Sequence, residues 1–315
     1  MRKEEFYFDS RDGRTSIHAC RYLPEGEVVG VLQIIHGMAE HVERYEPFAE
    51  YMTERGFVVT ANDHLGHGLS VSQGSPLGYF CDQDPATVVV RDVHRLKKLT
   101  QEAFPGVPYI IMGHSMGSFI MRNYLFTYGT GITASIIMGT GMQPAGLLKV
   151  SKAIVAVQKA ILGGKHVAKM IDKMAFGTYC EKFTPARTSV DWLTRDEAIV
   201  DQYVADPLCG FTFTLNGFET LFELISRLLK SDNLAKVPKK LPILMVSGAM
   251  DPVGAYGEGV KLAQKSLLDA GVKDITLKLY ENDRHEILNE LDRNQVMEDI
   301  YSWIMSKALE QMATD

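Results

Sequence analysis

A chain of 315 residues, 46% of them hydrophobic, can bury one large core or a core with an inserted unit. Its net charge of −6 and 23% charged content exclude nucleic acid as an expected bulk partner. Four scattered cysteines (Cys20, Cys81, Cys180, Cys209) form no C-x-x-C pair, no apolar run approaches the ~20 residues of a membrane span, and the opening MRKEEFYFDSRDG lacks a signal core. A soluble, cytoplasmic protein is expected.

In chain order, EEFYF and SIHACRYL alternate as antiparallel strands around the turn SRDGR. VVGVLQIIHG is too apolar for a one-sided strand and suits the middle of a covered parallel sheet. A helix around 44–55, the strand FVVTAND, a helix near 86–103 and the strand PYIIMGHS follow. After another helix comes the buried strand ASIIMGTG. The alternation resumes with LPILMVSGAMD, a helix near 255–270, ITLKLYEND and a last helix near 294–310. This order predicts an α/β fold, a mostly parallel sheet with helices on both faces.

Between about 143 and 236 the pattern is helical, with no convincing buried strand. Val150, Ile154, Val157 and Ile161 share one helical face with Lys152 and Lys159 opposite. Val167, Met170, Ile171 and Met174 repeat the arrangement against Lys165, Lys169 and Lys173. Thr194 and Glu197 fit a capping box opening the helix RDEAIVDQYVAD, and Phe218, Leu221, Phe222, Ile225 and Leu229 give a final stripe. The expected organisation is therefore a core over 1–142 and 237–315, with a helical cap inserted at 143–236. The lysine-rich faces at 149–182 raise a further expectation, peripheral contact of the cap with anionic lipid, against the alternative of a merely solvated face.

Gly113-His114-Ser115-Met116-Gly117 marks the point where a buried strand becomes a helix. Glycines there permit a tight bend that holds one side chain above the sheet, as a nucleophile requires, although G-x-S-x-G also arises by chance. A serine needs a histidine to take its proton, and the histidine needs an acid to fix its tautomer. His285 lies just beyond the last strand and Asp251 just beyond the strand before it. The order Ser115, Asp251, His285 is the one expected of α/β-hydrolases. The backbone N–H groups of Met116 and of Met38, after His36-Gly37, are the expected oxyanion donors. His36, His41, His64 and His67 lack metal-ligand spacing, so structural duties in neighbouring loops are expected and no zinc.

Taken together, IIHGMAEHVERY, ANDHLGHGLS, GHSMGS, SGAMDPVG and DRHEILNE resemble the monoacylglycerol lipase and lysophospholipase branch of the α/β-hydrolases, of serine aminopeptidase S33 type. The resemblance runs from residue 34 to residue 290 and is weakest in the helical segment, where substrate choice is made. It implies that Ser115 is the nucleophile, Asp251 the acid, His285 the base, and Met38 and Met116 the oxyanion donors. The implied activity is serine hydrolysis of a small-molecule acyl ester through an acyl-enzyme, most simply a monoacylglycerol or lysophospholipid, with no cofactor and no metal. Small soluble or aryl esters, thioesters and peptide amides remain open on the same triad, as does a non-catalytic ligand-binding homologue. Oligomeric state is left open.

Overall fold

The computed structural model describes residues 1–312, with side chains through Lys307. Eight strands form one sheet: β1 (Arg2–Asp9), β2 (Ser16–Leu23), β3 (Gly30–Ile35), β4 (Phe57–Asn62), β5 (Tyr109–His114), β6 (Ala134–Met138), β7 (Ile243–Gly248) and β8 (Ile275–Tyr280). Their spatial order is β1-β2-β4-β3-β5-β6-β7-β8. β1/β2 and β2/β4 are antiparallel and the remaining pairs parallel. The ends of β3 to β8 therefore open onto one edge, where ligands of α/β sheets gather.

Helices α1 (Glu46–Thr53), α2 (Pro85–Ala103) and α3 (Met116–Tyr128) lie between the early strands. The long β6–β7 connection carries α4 (Ala145–Leu162), α5 (Lys169–Phe176), α6 (Glu197–Ala205), α7 (Leu215–Arg227) and the short α8 (Ser231–Leu234). α9 (Glu258–Asp269) joins β7 to β8, and α10 (Arg293–Met312) follows β8. Strand pleating sorts side chains between two cores. On β5, Ile110 and Met112 join Phe48 and Met52 of α1 and Val296 and Ile300 of α10. Tyr109 and Ile111 join Val89 and Val93 of α2, Ile120 of α3 and Val260 of α9. Both faces are thus covered, which explains why these strands are continuous apolar runs. Among the described residues no helix is long and apolar enough to cross a membrane.

The expected orientation of α4 is wrong. Its inward residues are Leu148 and Val155, while Val150, Val157 and Ile161 are 57%, 62% and 76% exposed. Lys152 and Lys159 face the protein instead, donating to Glu223 and Glu219 of α7 at 2.6 Å each. On α5 only Ile171 of the expected apolar row is buried, and Met170 and Met174 are exposed. Apolar spacing identifies a face but not the side on which the partner lies, and here α7 presents carboxylates to α4. The capping box is also corrected. Asp196 caps α6, accepting from Ala198 N and Ile199 N, while Thr194 Oγ1 donates to Asn289 O.

Histidines tie the loops after β3 and β4 together. His36 donates from Nδ1 to Gly37 O at 2.8 Å and accepts the His64 N–H on Nε2 at 2.9 Å, so its ring is neutral. His64 Nε2 donates to His36 O at 3.1 Å, and His67 Nδ1 donates to Leu65 O at 3.1 Å with Phe80, Phe211 and Phe213 around its ring. Burial holds His36 down to about 3, His67 down to about 4, and His64 well below the ordinary imidazole range.

These rings are neutral when folded but charge near pH 6.5 when unfolded, so their contribution is present above pH 6.5 and lost as pH falls towards about 4. Denaturant titrations should show unfolding free energy falling over that window. His67→Phe should reduce the slope by about 1.4 kcal/mol per pH unit. An unchanged slope would place the acid sensitivity in other groups.

Candidate active site

Ser115 joins β5 to α3 in a backbone conformation (φ 54, ψ −122) that non-glycine residues seldom adopt. The bend is held by Ser115 N donating to Met138 O at 3.0 Å and by Ser118 Oγ donating to Ser115 O at 2.6 Å. Its tightness sets the flanking residues: a Cβ on Gly113 would stand 2.4 Å from Gly117 O, and one on Gly117 would stand 2.0 Å from Ile35 O. The loop after β3 passes so near that a Cβ on Gly37 would lie 3.1 Å from Ser115 Cβ. The next N–H in that loop belongs to Met38. Neither it nor the Met116 N–H at the start of α3 is taken up by another group among the described residues. The positive end of α3 adds to the potential there.

Asp251 and His285 are both buried at the same edge, beyond β7 and β8. His285 Nδ1 donates to Asp251 Oδ2 at 2.9 Å, which leaves the imidazole Nε2 as the basic nitrogen. Asp251 is itself fixed by Val253 N on Oδ1 at 2.8 Å and by Ser247 Oγ on Oδ2 at 3.3 Å. The His285 ring lies 4.8 Å from the ring of His114, the residue before Ser115, and His114 Nε2 donates to His285 O at 3.2 Å. The five residues singled out from the sequence thus come from four loops to one edge of the sheet.

Several residues of this edge were not picked out from the sequence. Beneath His114, Tyr45 donates to Glu40 Oε1 at 2.8 Å and meets His114 Nδ1 at 2.9 Å. Glu40 Oε1 also accepts the Gly37 N–H at 2.5 Å, so it steadies the loop that carries Met38. Arg44 donates to Glu40 at 2.9 Å and to both Glu286 oxygens at 2.7 Å. Burial alone would raise both carboxyls, but His114 and Arg44 hold Glu40 well below its ordinary range, and Arg44 holds Glu286 down. Burial would likewise lower His114, yet Glu40 keeps it raised. The only hint of this in the sequence is the i, i+4 spacing of Glu40 and Arg44; Glu286 is 242 positions from Arg44.

The β6–β7 connection closes the edge from outside. The Trp192 ring stands 5.1 Å from the His285 ring and 5.0 Å from that of Tyr179. Tyr203 OH and Gly210 N both donate to Ala39 O, at 3.1 and 3.0 Å. Among the described residues three side-chain groups approach closely enough to share an ion: Glu5/His18/Cys20, His41/Asp206/Cys209 and Asp283/Glu290/Asp292. None contains Ser115, Asp251 or His285, and the last is already bridged by Arg195. The edge holds a hydroxyl, an imidazole, a carboxylate and backbone N–H groups, the set of groups that nucleophilic acyl transfer uses.

The chain is 28% identical to a monoacylglycerol lipase of Mycolicibacterium smegmatis over 287 residues, covering 90% of this chain and 91% of that protein. It is 28% identical to the monoglyceride lipase of Mus musculus, covering 90% and 86%. A thermostable carboxyl esterase from Bacillus coagulans, solved in complex with glycerol, superposes with a TM-score of 0.89 at 32% identity, covering 98% and 99%. The family model of the serine aminopeptidases, S33, matches residues 26–292, and the chain belongs to that family of α/β-hydrolases.

Proposed function

We propose that this serine hydrolase cleaves monoacylglycerol-like acyl esters, with Ser115 as nucleophile, His285 as base and Asp251 as the acid that orients it. The observation carrying this reading is the 2.9 Å His285–Asp251 hydrogen bond beside the strained turn of Ser115. Asp251 fixes the His285 tautomer, so Nε2 accepts the Ser115 proton as Oγ attacks the ester carbonyl. The oxyanion is met by the N–H groups of Met38 and Met116, whose loss individually would cost about 3 kcal/mol of transition-state stabilisation. His285 then protonates the leaving alcohol, and a water activated by the same nitrogen releases the acid. The monoacylglycerol lipase relatives and the glycerol-bound esterase support a glycerol ester as the alcohol side. Four free thiols fit a cytoplasmic setting.

Residues 143–236 act in this reading as a cap, and its outer face rests on lipid. The support has shifted from the lysines to the apolar row. Lys152 and Lys159 are neutralised by Glu223 and Glu219, whereas Leu147, Val150, Val157, Ile161 and Leu162 of α4 stand exposed beside Met170 and Met174 of α5. A continuous apolar face of that kind inserts at the boundary of headgroups and acyl chains.

Ser115→Ala should abolish hydrolysis of short- and medium-chain monoacylglycerols and labelling by a fluorophosphonate while leaving the circular dichroism unchanged. Asp251→Asn should lower turnover by roughly 10⁴-fold, the scale of the corresponding change in a serine protease. A nearly active Asp251→Asn enzyme would move the acid elsewhere, and peptide amides outpacing acyl glycerols would overturn the substrate class.

For the cap, Val157→Glu with Ile161→Glu should weaken co-sedimentation with neutral phosphatidylcholine vesicles, at low and high salt alike. Turnover of a soluble aryl ester should be unaffected. Equal sedimentation of both proteins would leave the α4 face without a lipid role.

A further inference from the structure

His285 hangs on a segment with little regular structure. Between Tyr280 and Arg293 the chain makes only a short 3-10 turn at Ile287–Asn289, so rigidity must come from outside it. The sheet side supplies some: Asp283 O accepts the Met250 N–H at 2.9 Å. Most of the remainder comes from residues 191–196 of the β6–β7 connection. Leu193 O accepts the Glu286 N–H at 2.7 Å, and Trp192 O accepts the His285 N–H at 3.4 Å. Thr194 Oγ1 donates to Asn289 O at 2.9 Å, and Arg284 donates to Thr194 O at 3.2 Å.

At the centre of this seam is Arg195. Its guanidinium reaches Asp283 Oδ1 at 2.6 Å, Glu290 Oε2 at 2.8 Å and Asp292 Oδ1 at 2.7 Å. Asp283 precedes His285 by two residues, and Glu290 and Asp292 follow it. Asp283 and Glu290 are fully buried. Glu290 Oε1 closes the figure by accepting the backbone N–H groups of Arg195 and Arg284, at 3.1 and 2.9 Å. One cation therefore gathers three carboxylates from both flanks of the histidine. Without it, the buried acids would lose their compensating charge, and of this figure the Glu290 bond to the Arg284 N–H would be left to join the two limbs.

We propose that Arg195 is a positioning residue for His285: its guanidinium, reaching from the β6–β7 connection, draws the two limbs of the His285 loop together and holds the imidazole on Asp251. The seating of that connection then sets the competence of the base. This rests on the Ser115–His285–Asp251 reading, and catalysis is sensitive to it because a misplacement of about 1 Å at a reacting group can cost on the order of 10²-fold in rate.

The experiment compares wild type with Arg195→Met, Arg195→Lys and Thr194→Val in the full-length enzyme, using a soluble aryl ester. Arg195→Met should lower kcat about tenfold or more with KM within about twofold, and slow fluorophosphonate labelling in parallel. The low-field proton resonance of the His285–Asp251 hydrogen bond should broaden or shift. Arg195→Lys, which keeps the charge but not the fork, should recover part of the rate. A folded Arg195→Met enzyme with kcat within twofold of wild type and an unmoved resonance would overturn the proposal. If Arg195→Met does not fold, Thr194→Val decides, since it keeps the ion cluster and removes only the hydroxyl's bonds to Asn289 O and from the Asp196 N–H. A several-fold lower kcat with a moved resonance upholds the seam, and wild-type behaviour in both overturns it. Fluorophosphonate labelling of wild type at a residue other than Ser115 would sink the triad reading itself, whatever Arg195 does.

Discussion

Helix α3 enters the fold so close to β3 that a Cβ on Gly117 would stand 2.0 Å from Ile35 O, and Ser115 takes its strained backbone turn at that entry. Much of the catalytic edge follows from this approach. It brings the loop after β3, which carries Met38, against Ser115. It also sets His114 in the last place on β5, where its ring can support His285 from below. A wider crossing would separate the loop of Met38 from Ser115, and no side-chain substitution elsewhere could bring it back.

Around that approach the protein buries an unusual amount of charge and balances it locally. Arg44 is hydrogen bonded to both Glu40 and Glu286, and Glu40, 3.5 Å from His114 Nδ1, keeps that imidazole raised against its burial. Isolated buried ions cost several kcal/mol each, and such a cost is offset only when geometry and partners are complete. The bidentate Arg44–Glu286 fork supplies that completeness and joins the loop after β3 to the residue following His285. The loops that carry Met38 and His285 are thereby one electrostatic unit. The neutral histidines His36, His64 and His67 perform the adjoining task with uncharged groups, linking backbone to backbone.

What the sequence made legible was whatever depends on near neighbours or on chain order. Buried strands appear as apolar runs, the tight turn as G-H-S-M-G, and the hydrogen-bonded pair Asp251 and His285 as residues just past two late strands. What stayed hidden depends on which side of an element its partner occupies. The row Val150, Val157, Ile161 is a real face of α4, yet nothing within α4 states that Glu219 and Glu223, some sixty to seventy residues on, will claim the lysines. The capping box failed similarly, because Thr194 was recruited by Asn289 across the seam and Asp196 took its place. Trp192 and Arg195 carry no local signature at all. Their importance exists only once the connection folds back over His285.

The φ of 54 at Ser115 has a further consequence. Positive φ outside glycine costs about 1–3 kcal/mol, more than glycine's greater freedom in the unfolded chain returns. A glycine at this position would therefore leave a chain that folds more firmly and, on the proposed mechanism, has no nucleophile. Stability and chemistry pull this site in opposite directions, so folding alone would let the serine drift away. Under the proposed mechanism, only selection on turnover holds a serine here, and a lineage released from it would be expected to lose this residue while keeping its architecture.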